Sequence, residues 1–105
     1  MKSRLVPLLA ITLMLTILPS ALYAQEGAAL FASKACIACH GAEEKQPINN
    51  NIPKLAGQNK GYLAQQLTDF KSGARSNAGA VQMKGITAGL TEDDIQNLAE
   101  YLSTL

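Results

Sequence analysis

The stretch Cys36-Ile37-Ala38-Cys39-His40 decides how the rest of the chain is read. On a helix, Cys36 and Cys39 stand at i and i+3 and His40 at i+4, so two thiols and one imidazole share a face. That spacing is the attachment signature of a c-type haem, in which the thiols add to the two vinyl groups while the imidazole reaches the iron. Two other readings of CxxC are weaker on this sequence. A structural zinc needs about four ligands, and the chain has two cysteines and one histidine. A dithiol oxidoreductase centre belongs on a βαβ framework, and no strand pattern surrounds the motif.

Upstream of the motif, Lys2 and Arg4 form a short positive region, and Leu5 to Leu18 is an apolar run of 14 residues interrupted by Pro7. Pro19-Ser20-Ala21 then leads to a small-residue exit. The run is shorter than the roughly 20 apolar residues a membrane-spanning helix requires. Residues 1–24 are therefore expected to be a signal peptide cleaved after Ala24, and residues 25–105 to form the functional domain. Leu22, third from the cut, is larger than the usual small residue, so a retained anchor is the competing reading. No cysteine lies near the cut, which gives a lipid-anchored precursor no support.

Removing 24 of the 105 residues leaves 81, enough for one small domain. A chain this short buries little apolar surface, and such domains recruit disulfides, a metal or another staple. With both cysteines committed to thioethers, the haem itself becomes part of the core, and the haem-free polypeptide is expected to fold poorly. Processing also removes Lys2 and Arg4, leaving seven basic against eight acidic side chains. The lysines are scattered and no basic stripe is interleaved with aromatics, so no nucleic-acid partner is expected. Lys34, Lys45, Lys54 and Lys60 are candidates to ring the haem side, although an ordinary solvated lysine is the better reading of each taken singly.

Three helical stretches are expected. The first runs from about Glu26 into the haem motif, with Ala28, Phe31, Ala32 and Ala35 at helical spacing; Gly27 within it suggests close approach of another backbone. The second runs from about Asn59 to Ser72, with Leu63, Gln66, Leu67 and Phe70 on a face and Gly73 as its stop. The third begins after Thr91, a good N-cap followed by Glu92, Asp93 and Asp94, and carries Ile95, Leu98, Ala99 and Leu102 as its apolar stripe. Gly41 to Gly57 and Gly73 to Gly89 are expected to be irregular. The latter contains Met83, the one methionine that remains after processing. No second histidine exists, so Met83 is the candidate sixth ligand of the iron. A thioether there raises the potential and closes the site to other ligands; a lysine ligand, an open five-coordinate iron, or Met83 as core filler are the alternatives.

Taken together, the chain resembles the class I cytochrome c family, in particular the small soluble bacterial cytochrome c-553 type and the single-haem halves of related dihaem cytochromes. The resemblance covers essentially all of residues 25–105. It rests on Gly27 and Phe31, on CIACHG, and on Ile52-Pro53-Lys54-Leu55-Ala56-Gly57-Gln58. It continues through Tyr62, Gln66-Leu67, Phe70-Lys71-Ser72-Gly73-Ala74-Arg75, Met83 and Leu98-Ala99-Glu100-Tyr101-Leu102. The absence of tryptophan and the run Asn49-Asn50-Asn51 depart from the pattern. The implied fold is all-α, with three main helices and loops wrapped around one covalently bound haem c and its iron. The first and last helices would cross, matching Gly27 and Phe31 to the face containing Tyr101. Cys36 and Cys39 would hold the haem, and His40 and Met83 would be the axial ligands. The carbonyl of Pro53, rather than Pro47, would accept a hydrogen bond from His40, and Arg75 would pair with a haem propionate.

The resemblance implies a periplasmic single-electron carrier and not an enzyme. Such a protein, likewise a monomer without a membrane span, would shuttle between a respiratory donor complex and a terminal oxidase or reductase. Its redox partners would touch it transiently at the haem edge near Cys36 and Cys39. Two alternatives stay open: a haem protein whose sixth site binds a small ligand, and an electron-entry subunit of a larger periplasmic enzyme.

Overall fold

The computed structural model describes residues 19–42 and 45–105. Five helices follow in order: α1 Pro19–Ser33, α2 Cys36–His40, α3 Lys60–Ser72, α4 Ala80–Thr87 and α5 Glu92–Ser103. Among the described residues there is no strand, and no helix is long and apolar enough to cross a membrane. The positive region at Lys2 and Arg4 and the apolar run Leu5 to Leu18 lie outside the described residues.

α1 is described from Pro19, ahead of the expected Glu26. It does not run into the haem motif. The chain turns at Ala35, which takes a left-handed conformation (φ 62°), and α2 begins afresh at Cys36. One predicted helix is therefore two, and the five motif residues form a helix of their own. Ala32 and Ala35, expected on the packed face, are exposed, whereas Phe31 is buried.

The crossing of α1 and α5 forms the centre of the fold. A Cβ on Gly27 would lie 2.1 Å from the Asn97 carbonyl oxygen and 2.5 Å from the Tyr101 Cβ, so only glycine permits this approach. Phe31 packs against Tyr101 with ring centroids 6.0 Å apart and tilted by 49°. Ile95, Leu98, Ala99 and Leu102, the stripe expected on α5, are buried together with Phe31, Leu63 and Leu90. Asn97 is also buried at the crossing and donates from Nδ2 to Glu26 Oε2 at 2.8 Å.

Local chemistry explains where α3 and α5 begin. Asn59 Oδ1 accepts from the Tyr62 N–H at 3.1 Å, and α3 ends at a left-handed Gly73 (φ 83°). Thr91 and Asp94 form a reciprocal capping box, with the Asp94 N–H donating to Thr91 Oγ1 at 3.1 Å and the Thr91 N–H to Asp94 Oδ2 at 2.9 Å. Glu92, Asp93 and Asp94 all lie in the first turn, where the helix dipole favours negative charge. A Lys60–Glu100 ion pair at 2.9 Å ties α3 to α5.

α4 departs from the sequence expectation. The segment Gly73 to Gly89 was expected to be irregular, yet Ala80–Thr87 is helical and carries Met83. Packing explains the difference: Ala80 and Thr87, seven residues apart on one face, are both buried. Gly85 lies within this helix with open space where a Cβ would be, so its low propensity is tolerated on the outer side.

Candidate functional site

A cleft of about 280 Å³ lies between α2, the segment 51–58, α3 and α4. Each side chain predicted to act on a haem lines it: Cys36, Cys39, His40, Pro53, Arg75 and Met83. The rest of the lining is largely apolar, with Leu55, Leu63, Leu67, Phe70, Ile86 and Leu102 contributing.

α2 presents the thiols and the imidazole. Cys36 and Cys39 are partly buried. The motif is fixed at its C-terminal side by the Gly41 N–H donating to the Ile37 carbonyl at 3.0 Å and by the Ile48 N–H donating to the Cys39 carbonyl at 3.0 Å. His40 is buried, and its Nδ1 lies 2.9 Å from the Pro53 carbonyl oxygen. A carbonyl only accepts, so Nδ1 carries the hydrogen, and in the neutral ring Nε2 keeps its lone pair. The bond fixes both the orientation and the tautomer of a ring built to ligate a metal. The Pro53 segment is itself held from behind, because the Gly57 N–H donates to the Leu102 carbonyl at 2.9 Å on α5.

Arg75 enters the cleft from the turn after α3. Its Nη1 donates to Gln66 Oε1 at 2.9 Å, and its guanidinium lies 4.5 Å from the centroid of the Phe70 ring. These contacts hold the arginine in place while leaving other N–H donors for an acidic group. Gln66 was expected only as part of the α3 face; its role in orienting Arg75 has no signal in the sequence. Of the four lysines considered as a rim, Lys54 lines the cleft, while Lys60 is engaged with Glu100. Lys34 reaches toward Gly89, and Lys45 is exposed.

Met83 is half-buried and lines the cleft from α4. Two thiols, an imidazole with a free Nε2 and a thioether thus border one apolar cavity, and the set fits a porphyrin attached at two points. The thiols and the imidazole belong to one short helix, and the thioether is brought in by a separate element more than forty residues later.

The cytochrome c family profile matches residues 24–105. The chain is 37% identical over 99 residues to cytochrome c4 of Pseudomonas aeruginosa, covering 91% of this chain and 47% of that protein. It is 39% identical over 80 residues to the thiosulfate dehydrogenase electron acceptor of Stutzerimonas stutzeri, covering 76% and 36%. The crystal structure of reduced recombinant cytochrome c4 from Pseudomonas stutzeri superposes with a TM-score of 0.68 at 33% identity, covering 80% of this chain and 48% of that one. The chain thus spans half or less of the length of these relatives. Sequence match and superposition agree with the geometry of the cleft: the chain belongs to the cytochrome c family, has the class I fold, and carries covalently attached haem c with its iron.

Proposed function

We propose that this protein is a single-electron carrier and not an enzyme, with one haem bound through thioethers to Cys36 and Cys39 and ligated by His40 and Met83. The haem supplies the redox chemistry, cycling between ferric and ferrous iron without making or breaking a bond in a substrate. The observation that carries the reading is the His40–Pro53 hydrogen bond opening onto a cleft that Met83 also lines. His40 would ligate the iron from a ring that the Pro53 carbonyl orients. Met83 would be the second ligand and would exclude small ligands, which separates a carrier from a gas-binding or peroxide-using haem protein. Arg75, already oriented by Gln66 and Phe70, pairs with a propionate.

Export to the periplasm with removal of residues 1–24 belongs to the same reading. The family match starts at residue 24, Leu22 and Tyr23 are exposed, and Gly27 is buried three positions beyond the proposed cut. Cleavage there leaves the α1–α5 crossing intact. Partners dock transiently at the haem edge, where Ile37 and Ile48 are exposed beside the thiols, and the carrier works as a monomer. A relative is named as an electron acceptor of thiosulfate dehydrogenase, which makes a periplasmic dehydrogenase a candidate donor beside a respiratory complex. A terminal oxidase or reductase is the acceptor.

The optical spectrum of the ferric holoprotein tests the ligand set. The weak far-red band of methionine sulfur on ferric haem is expected in the parent and absent in Met83→Ala. A parent without that band, whose ferrous form takes up carbon monoxide at once, would replace the carrier reading with an open-site haem protein.

A further inference from the structure

α4 is too short to hold its own shape. It has eight residues, against the roughly 12–15 below which an isolated helix is marginal in water. Its N-cap residue Gly79 makes no side-chain cap, and its first turn contains no acidic residue. What fixes it is one face: Ala80 and Thr87 are buried, Met83 lies between them, three residues after the first and four before the second, and Val81 on another side is 75% exposed.

Thr87 has no exposed surface at all. Its hydroxyl donates to the Met83 carbonyl oxygen at 2.7 Å, with the Lys84 carbonyl oxygen at 3.3 Å. One hydroxyl carries one proton, so the shorter contact takes it. A valine would fill the same space without a polar atom to satisfy, so what the hydroxyl adds is a directional tie to the peptide unit of Met83. The other side of Thr87 is anchored as well. Its carbonyl accepts the Leu90 N–H at 3.0 Å, and Leu90 belongs to the core with Phe31 and Leu98. A continuous path therefore runs from the core through Leu90 and Thr87 to the backbone that bears the thioether.

We infer that Thr87 is a positioning residue for Met83, holding through its hydroxyl the turn of α4 that presents the thioether to the cleft. The inference rests on Met83 being the sixth ligand. Without the hydroxyl the turn relaxes, and the thioether is displaced more easily by a competing ligand. A role confined to folding would change the melt and leave that displacement untouched.

The experiment is a titration of the ferric holoprotein with imidazole, followed by loss of the far-red band, in the parent, Thr87→Val and Thr87→Ser. Thr87→Val is expected to bind imidazole about fivefold more tightly, the equivalent of one ordinary hydrogen bond, and Thr87→Ser to return to within about twofold of the parent. If Thr87→Val does not yield folded protein, Thr87→Ala against Thr87→Ser makes the same comparison. A band present in the parent, with imidazole affinity unchanged within twofold when the hydroxyl is removed, overturns the role of Thr87 alone. A parent that lacks the band, and binds imidazole as Met83→Ala does, overturns the ligand assignment and this inference with it.

Discussion

The α1–α5 crossing and the α4 wall of the cleft are built on opposite principles. At the crossing the polypeptide supplies its own partners: a glycine that admits the neighbouring backbone, two facing aromatic rings and a capping box that starts α5. α4 has no side-chain cap, two buried residues and a cleft on one side. The first region is a helix pair held by contacts within the chain. The second packs on α3 and leaves its other side to the cleft, which the haem would fill. Stability is therefore concentrated away from the cleft, and the element that carries Met83 is expected to depend on what fills the cleft.

That contrast breaks first if the haem is withheld. The double variant Cys36→Ala, Cys39→Ala is expected to lose a cooperative thermal melt and most of its helical circular dichroism, because the cleft walls would close on nothing. Native-like helicity with a sharp melt would mean that the crossing alone sustains the fold. A smaller effect is expected from Gly27→Ala, whose new Cβ would meet the backbone oxygen of Asn97 and the Tyr101 Cβ. A cost of about 3 kcal/mol in urea unfolding of the holoprotein, at the upper end for overpacking, should leave the far-red band intact. Loss of the band in that variant would show that the two regions are coupled. The smallest effect is expected from Thr91→Ala, which removes the capping hydroxyl accepting from the Asp94 N–H and should cost about 1 kcal/mol without spectral change.

The sequence was most legible where local chemistry and packing agree. The Thr91 cap with its acidic first turn, and the stripe Ile95, Leu98, Ala99, Leu102, announce α5 and its buried face. Gly27 announced a close approach because few other reasons place glycine inside a helix. α4 was not legible, since Gly73, Gly79, Gly85 and Gly89 weigh against a helix and what overrides them is burial of Ala80 and Thr87. Their spacing, with Met83 between, was the available signal, and three residues are too few to stand out from a glycine-rich background. The left-handed turn at Ala35 was equally hidden, because alanine is a good helix former and nothing local marks it as a break. In the cleft, Cys36, Cys39 and His40 could be named from the motif, Met83 by elimination, and Pro53 and Arg75 only from the family resemblance. The Gln66 contact that orients Arg75 and the hydroxyl of Thr87 arise only from tertiary geometry.

The crossing also sets a timetable. Asn97 and Glu26, joined there, stand 71 positions apart, so the loop between them must close before Phe31 finds its place, and closure over that span is entropically slow. The α5 residues that bury Phe31 lie more than sixty positions beyond it. Cys36, Cys39 and His40 sit on a five-residue helix inside that loop, so in a chain that has not yet closed it both thiols would stand accessible to haem. The long-range pairing at the crossing is therefore expected to act as a latch that closes after haem attachment.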